Sequence, residues 1–196
     1  MIKLIIDTNV LIPGGKKDEE TIKSIKEFGN LLPELARFEE IAIYLSTEIL
    51  GEYKSSVPAS IKRYNLKKQL PKFHSSLDRN WNRIIQLLEN RRKCNPIDLR
   101  RFVDLKLKFH VIQTTKLSYD VTNFINDEDK KFLKLALALA RGGKIFIISV
   151  DRESLLKLDI KRLSKRYEEA KNIVIHKPKD FVEKVILPLL ESERVV

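Results

Sequence analysis

Acids stand at four places in this chain where a fold could gather them. Asp7 directly follows the apolar run Ile-Lys-Leu-Ile-Ile, and Asp151 closes the run that starts at Ile145, with Ser149 two residues before it. Glu48 and Glu52 lie just after Ile-Ala-Ile-Tyr-Leu, and Asp127, Glu128 and Asp129 open a helical pattern that leads into the Ile145 run. In open α/β sheets the functional crevice lies outside the carboxyl ends of the strands, so four elements could deliver acids to one rim. Carboxylates gathered in this way repel one another unless a cation neutralises them, which implies a hard divalent metal. Oxygen-only ligands suit Mg²⁺ or Mn²⁺.

Helical spacing sorts these acids. Asp129 has Phe132, Leu133 and Ala136 at i+3, i+4 and i+7, so it shares the apolar stripe that faces a sheet. Asp127 has Lys130, Lys131 and Lys134 at the same offsets and is expected to face solvent. Acids in a first helical turn also complement the macrodipole, which suffices for Asp127 and Glu128. It accounts less well for Asp129, because burying a carboxylate beside Phe132 is costly without a partner. Either Glu48 or Glu52 could point inward. Glu52 is preferred, since Glu48 just after Ser46 is where a dipole-complementing acid would sit anyway. His74, His110 and His176 are scattered without ligand spacing and read as surface or core residues. No glycine-rich loop ending in Gly-Lys-Ser/Thr occurs, so a nucleoside-triphosphate motor is unsupported.

The elements that must position these residues alternate. Residues 2–6, 41–45, 145–150 and 173–176 read as short buried strands, with a weaker fifth at 109–113. Helical patterns run over 18–28, 47–57, 128–141, 153–169 and 179–191. Strands apolar on both faces, alternating with helices, predict a parallel sheet of about five strands covered on both sides. Gly142-Gly143 stops one helix, and Pro178 suits a first helical position. A block from about 58 to 108 interrupts the alternation with helix after helix. Leu77, Trp81, Ile84, Ile85 and Leu88 form one apolar stripe there, and Asn95-Pro96 breaks the chain before a third helical run. The block reads as a helical elaboration of one domain spanning 1–196, being small to stand alone.

Charge is concentrated in the same block. The chain has 196 residues with 38 Lys and Arg against 27 Asp and Glu, a net +11. Residues 53–116 hold 16 of the bases and only 4 acids, a net +12, whereas the other 132 residues have 22 bases and 23 acids. A segregated basic block is the footprint of a polyanion partner, most often nucleic acid; the plainer reading is a solvated helical face. At 43% hydrophobic and 33% charged residues a buried core is expected rather than disorder. No apolar run approaches the roughly 18 residues that would span a bilayer, and the N-terminal stretch, broken by Asp7, does not read as a secretion signal. The lone Cys94 cannot form an internal disulfide and excludes a zinc site built on Cys pairs, which together point to a cytoplasmic protein.

Taken in order, these segments resemble the PIN-domain nucleases. Leu-Ile-Ile-Asp-Thr-Asn at the start looks like the family's first strand and its Asp-Thr-Asn signature, at Asp7, Thr8 and Asn9. The segment around Glu52, the segment from Asn126 to Ala136 with its acid at Asp129, and Ile147–Leu156 with Ser149 and Asp151 resemble the next three motifs. The ending from Ile173 to Val182 is similar to the family's last strand and helix. The likeness covers most of 1–57 and 109–185. It implies a three-layer α/β/α sandwich around the parallel sheet, with the basic helical block as an insertion. It also implies metal-dependent endonucleolytic cleavage of RNA, with Asp7, Glu52, Asp129 and Asp151 as ligands of Mg²⁺ or Mn²⁺. Thr8, Asn9 and Ser149 would orient those ligands or touch phosphate. A carboxylate-held metal pair can activate water and stabilise the leaving oxygen in in-line attack on phosphorus.

Lys130, Lys131 and Arg152 flank the proposed rim and are candidates for substrate phosphate, though each could equally be a solvated charge. In the basic block, Tyr64, Phe73, His74 and Trp81 are available to stack bases, although the stripe that holds Trp81 is more often helix core. Glu153 stands where many family members carry a second acid after the strand, and the basic block is larger than in compact members, among them the toxins of toxin–antitoxin pairs. A homodimer is compatible with the resemblance and with the habits of soluble proteins, and an antitoxin or ribonucleoprotein partner is compatible with the chain. Two rivals stand beside the nuclease. One is a PIN-like module that binds RNA or a ribonucleoprotein without cutting. The other is a phosphotransfer domain of the receiver or haloacid-dehalogenase kind. Against the latter, Asn9 replaces the second Asp of Asp-x-Asp, and no acidic pair precedes Asp7 in the way a receiver requires.

Overall fold

The computed structural model describes residues 1–11, 18–53, 55, 97–98 and 107–194. Six strands form one sheet: β1 (Ile2–Ile6), β2 (Ile41–Ser46), β3 (Ile97–Asp98), β4 (Leu107–Ile112), β5 (Ile145–Ile148) and β6 (Ile173–His176). Their spatial order is β3-β4-β2-β1-β5-β6. The five longer strands are all parallel, and only the two-residue β3 runs antiparallel, against β4 at the edge. This is the α/β class expected from the alternating pattern. Leu4, Ile5 and Ile6 are all buried although neighbours along a strand point to opposite faces, so both faces of β1 are covered.

Strand order locates the crevice. From β1 the chain moves outward to β2 on one side, and later from β5 outward to β6 on the other. Neighbouring strands whose connections leave in opposite directions open a cleft at their carboxyl ends. Here that cleft lies between β1 and β5, whose ends carry Asp7 and the Ser149–Asp151 segment.

Several elements depart from the boundaries that periodicity predicts. Helix α1 (Thr8–Leu11) is a single turn. Helix α2 (Glu19–Leu35) runs well past residue 28, through Gly29 and Pro33, because Ile25, Phe28, Leu32 and Leu35 continue one buried stripe. Burial outweighs two poor helix formers here. Helix α3 (47–53) starts at Ser46, whose fully buried hydroxyl accepts the Ile49 N–H at 3.1 Å. Ser46→Ala is expected to cost about 1 kcal/mol in chemical denaturation, the usual worth of a cap, and to loosen the helix that carries Glu52.

A single turn of 3₁₀ helix at Asp127–Asp129 leads into α4 (Lys130–Ala140), which ends before Gly143 at φ +111°, a conformation suited to glycine. The span 153–169 is not one helix. It breaks into a turn at Leu155–Lys157, a short α5 (Ile160–Ser164) and a second turn at Glu168–Asn172. Leu158 and Asp159 are extended, and the Asp159 carboxylate accepts the Arg162 N–H at 3.0 Å, capping a new helix instead of continuing the old one. The C-terminal helix starts with Pro178 in its first turn, as α6 (Pro178–Phe181), passes through a π-helical segment Val182–Ile186 and continues as α7 (Leu187–Arg194). Phe181 packs edge-on against Phe28 of α2 and Phe146 of β5, joining this helix to the core.

The helical block expected at 58–108 lies outside the described residues, except at its end, where the structure differs. Ile97–Asp98 pairs as a strand with Lys108 and Phe109, and β4 starts at Leu107 rather than at 109. Among the described residues no helix is long and apolar enough to cross a membrane.

Candidate active site

Asp7 is the buried centre of the cleft, 1% exposed. Its backbone N–H continues the sheet ladder to the Ile148 carbonyl at 2.9 Å, so pairing of β1 with β5 places it. Its Oδ1 accepts the Asn9 N–H at 3.0 Å, and its Oδ2 accepts the Ser149 hydroxyl at 2.6 Å. The same Ser149 oxygen accepts the Asp151 N–H at 2.9 Å. One hydroxyl thus fixes the Asp7 carboxylate and the backbone turn that presents Asp151. Ser149 donates its N–H to the His176 carbonyl at 3.0 Å, a last ladder bond to β6, while its hydroxyl turns the chain out of β5 two residues before the apolar run ends.

Burial first, and then the charges of Glu52 and Asp151, push the Asp7 carboxyl upward; the bonds from Ser149 and Asn9 pull it part of the way back. Asp129 is buried while Asp127 and Glu128 are exposed, as the offsets along the chain require. Its carboxyl is raised to about 6, mainly by burial, with the neighbouring Asp151 carboxyl and the Asp7 charge adding to it and the Ser154 hydroxyl opposing. Ser154 Oγ makes no hydrogen bond among the described residues, so its effect on Asp129 is that of a nearby dipole rather than a formed bond. Asp7, Asp129 and Asp151 therefore stand within one another's electrostatic field.

Glu52 is brought to the edge of this group and Glu48 is not. Glu48 is exposed, with its N–H donated to the Thr114 hydroxyl at 3.2 Å. Glu52 acts on Asp7, but its Oε2 lies 3.0 Å from the Lys131 ammonium. Thr8 is buried with its Oγ1 unpartnered among the described residues, whereas Asn9 is exposed and serves Asp7 through its backbone. The cations set aside for phosphate are all engaged: Lys130 with Asp127, Lys131 with Glu52, and Arg152 with Asp18 at 2.9 Å. A cavity of about 370 Å³ adjoins the site, lined by both neighbours of Asp151, Val150 and Arg152, by Lys177 and Lys179, and by the acids Glu20, Asp180 and Glu183. His110 stacks on Tyr44 and His176 on Phe146, away from any ligand role; His74 lies outside the described residues.

Among the described residues no three His, Cys, Asp or Glu side chains stand close enough to hold an ion as arranged. The chemistry of the donors nonetheless suits a hard cation. The Asp7 and Asp129 carboxyls are raised by burial and by neighbouring acids, and no Lys or Arg is paired with Asp7, Asp129 or Asp151 among the described residues. Ser149→Ala removes both tethers at once. It is expected to weaken Mn²⁺ binding about tenfold, the usual penalty for losing a group that orients a ligand, as read by titration calorimetry.

Two residues in the site escape a reading by spacing alone. Tyr53 is buried, and its hydroxyl donates to the Ile6 carbonyl, pinning the strand end that bears Asp7. Burial, followed by Asp7 and Glu52, drives its phenol well above the ordinary range, so it stays a neutral donor. Its signal was its place beside Glu52, four residues after the buried Ile49. Ser154 had no such signal, since it approaches Asp129 only through the turn after Asp151.

No family model, curated protein or solved structure matches this chain.

Proposed function

We propose that this chain is a PIN-like, Mg²⁺- or Mn²⁺-dependent endoribonuclease, built as a three-layer α/β/α sandwich with a basic helical insertion. The observation that carries this reading is the convergence of Asp7, Asp129 and Asp151, from three separate elements, on the cleft between β1 and β5. Their mutual destabilisation is what a cation would relieve. Asp7, Asp129 and Asp151 would hold the metal, with Glu52 at the margin. Bound there, a divalent ion supplies Lewis-acid polarisation of a phosphoryl oxygen and activation of water.

The chain's own residues prepare the site. Ser149 holds Asp7 and the Asp151 turn in register, Tyr53 fixes the end of β1, and burial keeps bulk water from Asp7. The scissile phosphate would approach over the adjoining cavity, where Arg152 can exchange its exposed Asp18 partner for a phosphate oxygen at little cost. The basic segment 53–116 would track the rest of the RNA backbone.

A second reading, a PIN-like module that binds RNA or a ribonucleoprotein without cutting, is favoured by one observation. Glu52 already has an internal ammonium as its partner. The test is incubation of the purified protein with defined RNA and DNA in Mn²⁺, Mg²⁺ or EDTA. Cleavage of RNA in the metal arms, none in EDTA and none by Asp7→Asn supports the nuclease. RNA retention in a gel shift without any metal-dependent product would instead establish the binding module.

A further inference from the structure

We infer that the cavity beside Asp151 is a subsite for one nucleotide of an RNA strand, with Lys177 holding its phosphate and Glu183 accepting from its sugar or base. The inference rests on the reading of the chain as one that acts on RNA, and it names the residues that would seat the strand next to the scissile phosphate.

β1, β5 and β6 run parallel, so the segments that follow them emerge on one rim. The cavity lies there. Val150 and Arg152 follow β5, Lys177 and Pro178 follow β6, and Thr21 and Ser24 come from the first two turns of α2. Because Val150 and Arg152 flank Asp151, a strand with its scissile phosphate at the acidic cleft passes next over this cavity. Its volume of about 370 Å³ is at the low end of the roughly 300–1,000 Å³ of small-ligand sites, room for one nucleotide. Val150 and Pro178 give it an apolar part on which a sugar or base can rest.

The charges select the ligand. Arg152 is bound to Asp18 at 2.9 Å, Lys179 to Glu20 at 3.1 Å and Asp180 to Lys184 at 3.2 Å. That leaves two charges of opposite sign on the wall, Lys177 and Glu183, both exposed and without an ion pair among the described residues. Glu183 lies in the field of Lys179 without pairing with it. A groove for a bare run of phosphates would carry cations alone, since a carboxylate repels phosphate. One free ammonium beside one free carboxylate suits a ligand that is anionic at one end and a hydrogen-bond donor at the other. A ribonucleotide is such a ligand: its phosphate accepts from an ammonium, and its sugar hydroxyls and base N–H groups donate to a carboxylate. Lys130, Lys131 and Arg152 are each bound to a carboxylate, so Lys177 can take a phosphate without first breaking an ion pair.

The test is titration calorimetry in EDTA, which needs neither metal nor cleavage. The four ribonucleoside 5′-monophosphates, each in turn, and inorganic phosphate are titrated into the full chain, Lys177→Gln and Glu183→Ala. Both positions are exposed, so both variants should melt with the unaltered chain. At least one nucleotide should bind the unaltered chain more tightly than phosphate does. Lys177→Gln should weaken that nucleotide and phosphate alike, by about tenfold, whereas Glu183→Ala should weaken the nucleotide by about as much and leave phosphate unchanged. A 5′-phosphorylated dinucleotide should bind at least as tightly as the mononucleotide; its exclusion overturns the assignment to a strand. No binding by any of the four, phosphate bound as tightly as they are, or either variant binding the nucleotide unchanged overturns the inference and leaves the nuclease reading standing. Nucleotide binding intact in a chain that cuts no RNA with Mn²⁺ or Mg²⁺ overturns the nuclease reading and leaves the subsite.

Discussion

Asp7→Asn is expected to reduce metal-dependent RNA cleavage by about 10³-fold, equivalent to about 4 kcal/mol of lost transition-state stabilisation. The reason is charge, not shape. Asparagine keeps Oδ1 for the Asn9 N–H, and its amide can donate to Ser149 Oγ, so the local hydrogen bonds are largely conserved. What disappears is the most buried carboxylate of the cleft, the one that both Glu52 and Asp151 act upon. That carboxylate is costly in the metal-free protein, since burial and like charges push its protonation upward. The variant should therefore melt at the same temperature as the unaltered chain or higher in EDTA, and lack the further rise with Mn²⁺ that the proposed site predicts for the unaltered chain. Thermal melts with and without Mn²⁺, beside a cleavage assay, separate this from simple misfolding. Cleavage retained within tenfold in a well-folded Asp7→Asn would remove Asp7 from the metal site.

The second large effect is in pH, and one group gives it two opposite slopes. The Asp129 carboxyl is raised to about 6 from an ordinary 3.8, chiefly by burial. Between those values the unfolded chain gives up this proton while the folded chain keeps it. The metal-free fold is then favoured at the acidic end of the window and loses that advantage as pH rises through about 6. Asp7, raised for the same first reason, adds in the same direction. On the proposed metal site, affinity would run the other way, because an ion held by Asp129 would have to displace its proton. Mn²⁺ affinity should fall about tenfold from pH 7 to pH 5 and about tenfold more by pH 4. Carboxyls held below their ordinary range, such as Asp18 beside Thr21 and Asp120 beside Thr122, withdraw stability only at lower pH, as they take up protons. Calorimetric titrations across this range, with denaturation of the chelated protein in parallel, check both slopes. Asp129→Asn should flatten both; a metal affinity unchanged between pH 7 and pH 5 would show that Asp129 does not hold the ion.

Much of the scaffold was legible because it follows from local rules. Buried parallel strands are apolar on both faces, which marked β1, β2, β5 and β6 within two residues. The inward turn of Asp129 and the outward turn of Asp127 follow from offsets along one helical face, and that face was readable from Phe132, Leu133 and Ala136. The errors came where a side chain competed with the backbone. Asp159 capped a new helix inside an apparently continuous pattern, and Ser149 drew β5 to a close for the sake of Asp7 and Asp151. Helix α2 went the other way, carried past Gly29 and Pro33 by burial of Leu32 and Leu35.

The sequence by itself determined the kind of groups in the cleft and the strand ends that bear them, since periodicity and composition are properties of neighbours along the chain. It could not decide which distant groups meet. That Lys131 is held by Glu52 and not left free for phosphate depends on how α4 packs beside α3. Arg152 likewise reaches Asp18 because the segment after β5 lies beside the start of α2. That Asp7 and Asp151 share one hydroxyl depends on β1 lying next to β5, although 142 residues separate Asp7 from Ser149. Pairings at such separations are settled by strand order and packing, where burial of the whole core outweighs any local preference, and the charge state of each acid follows from them.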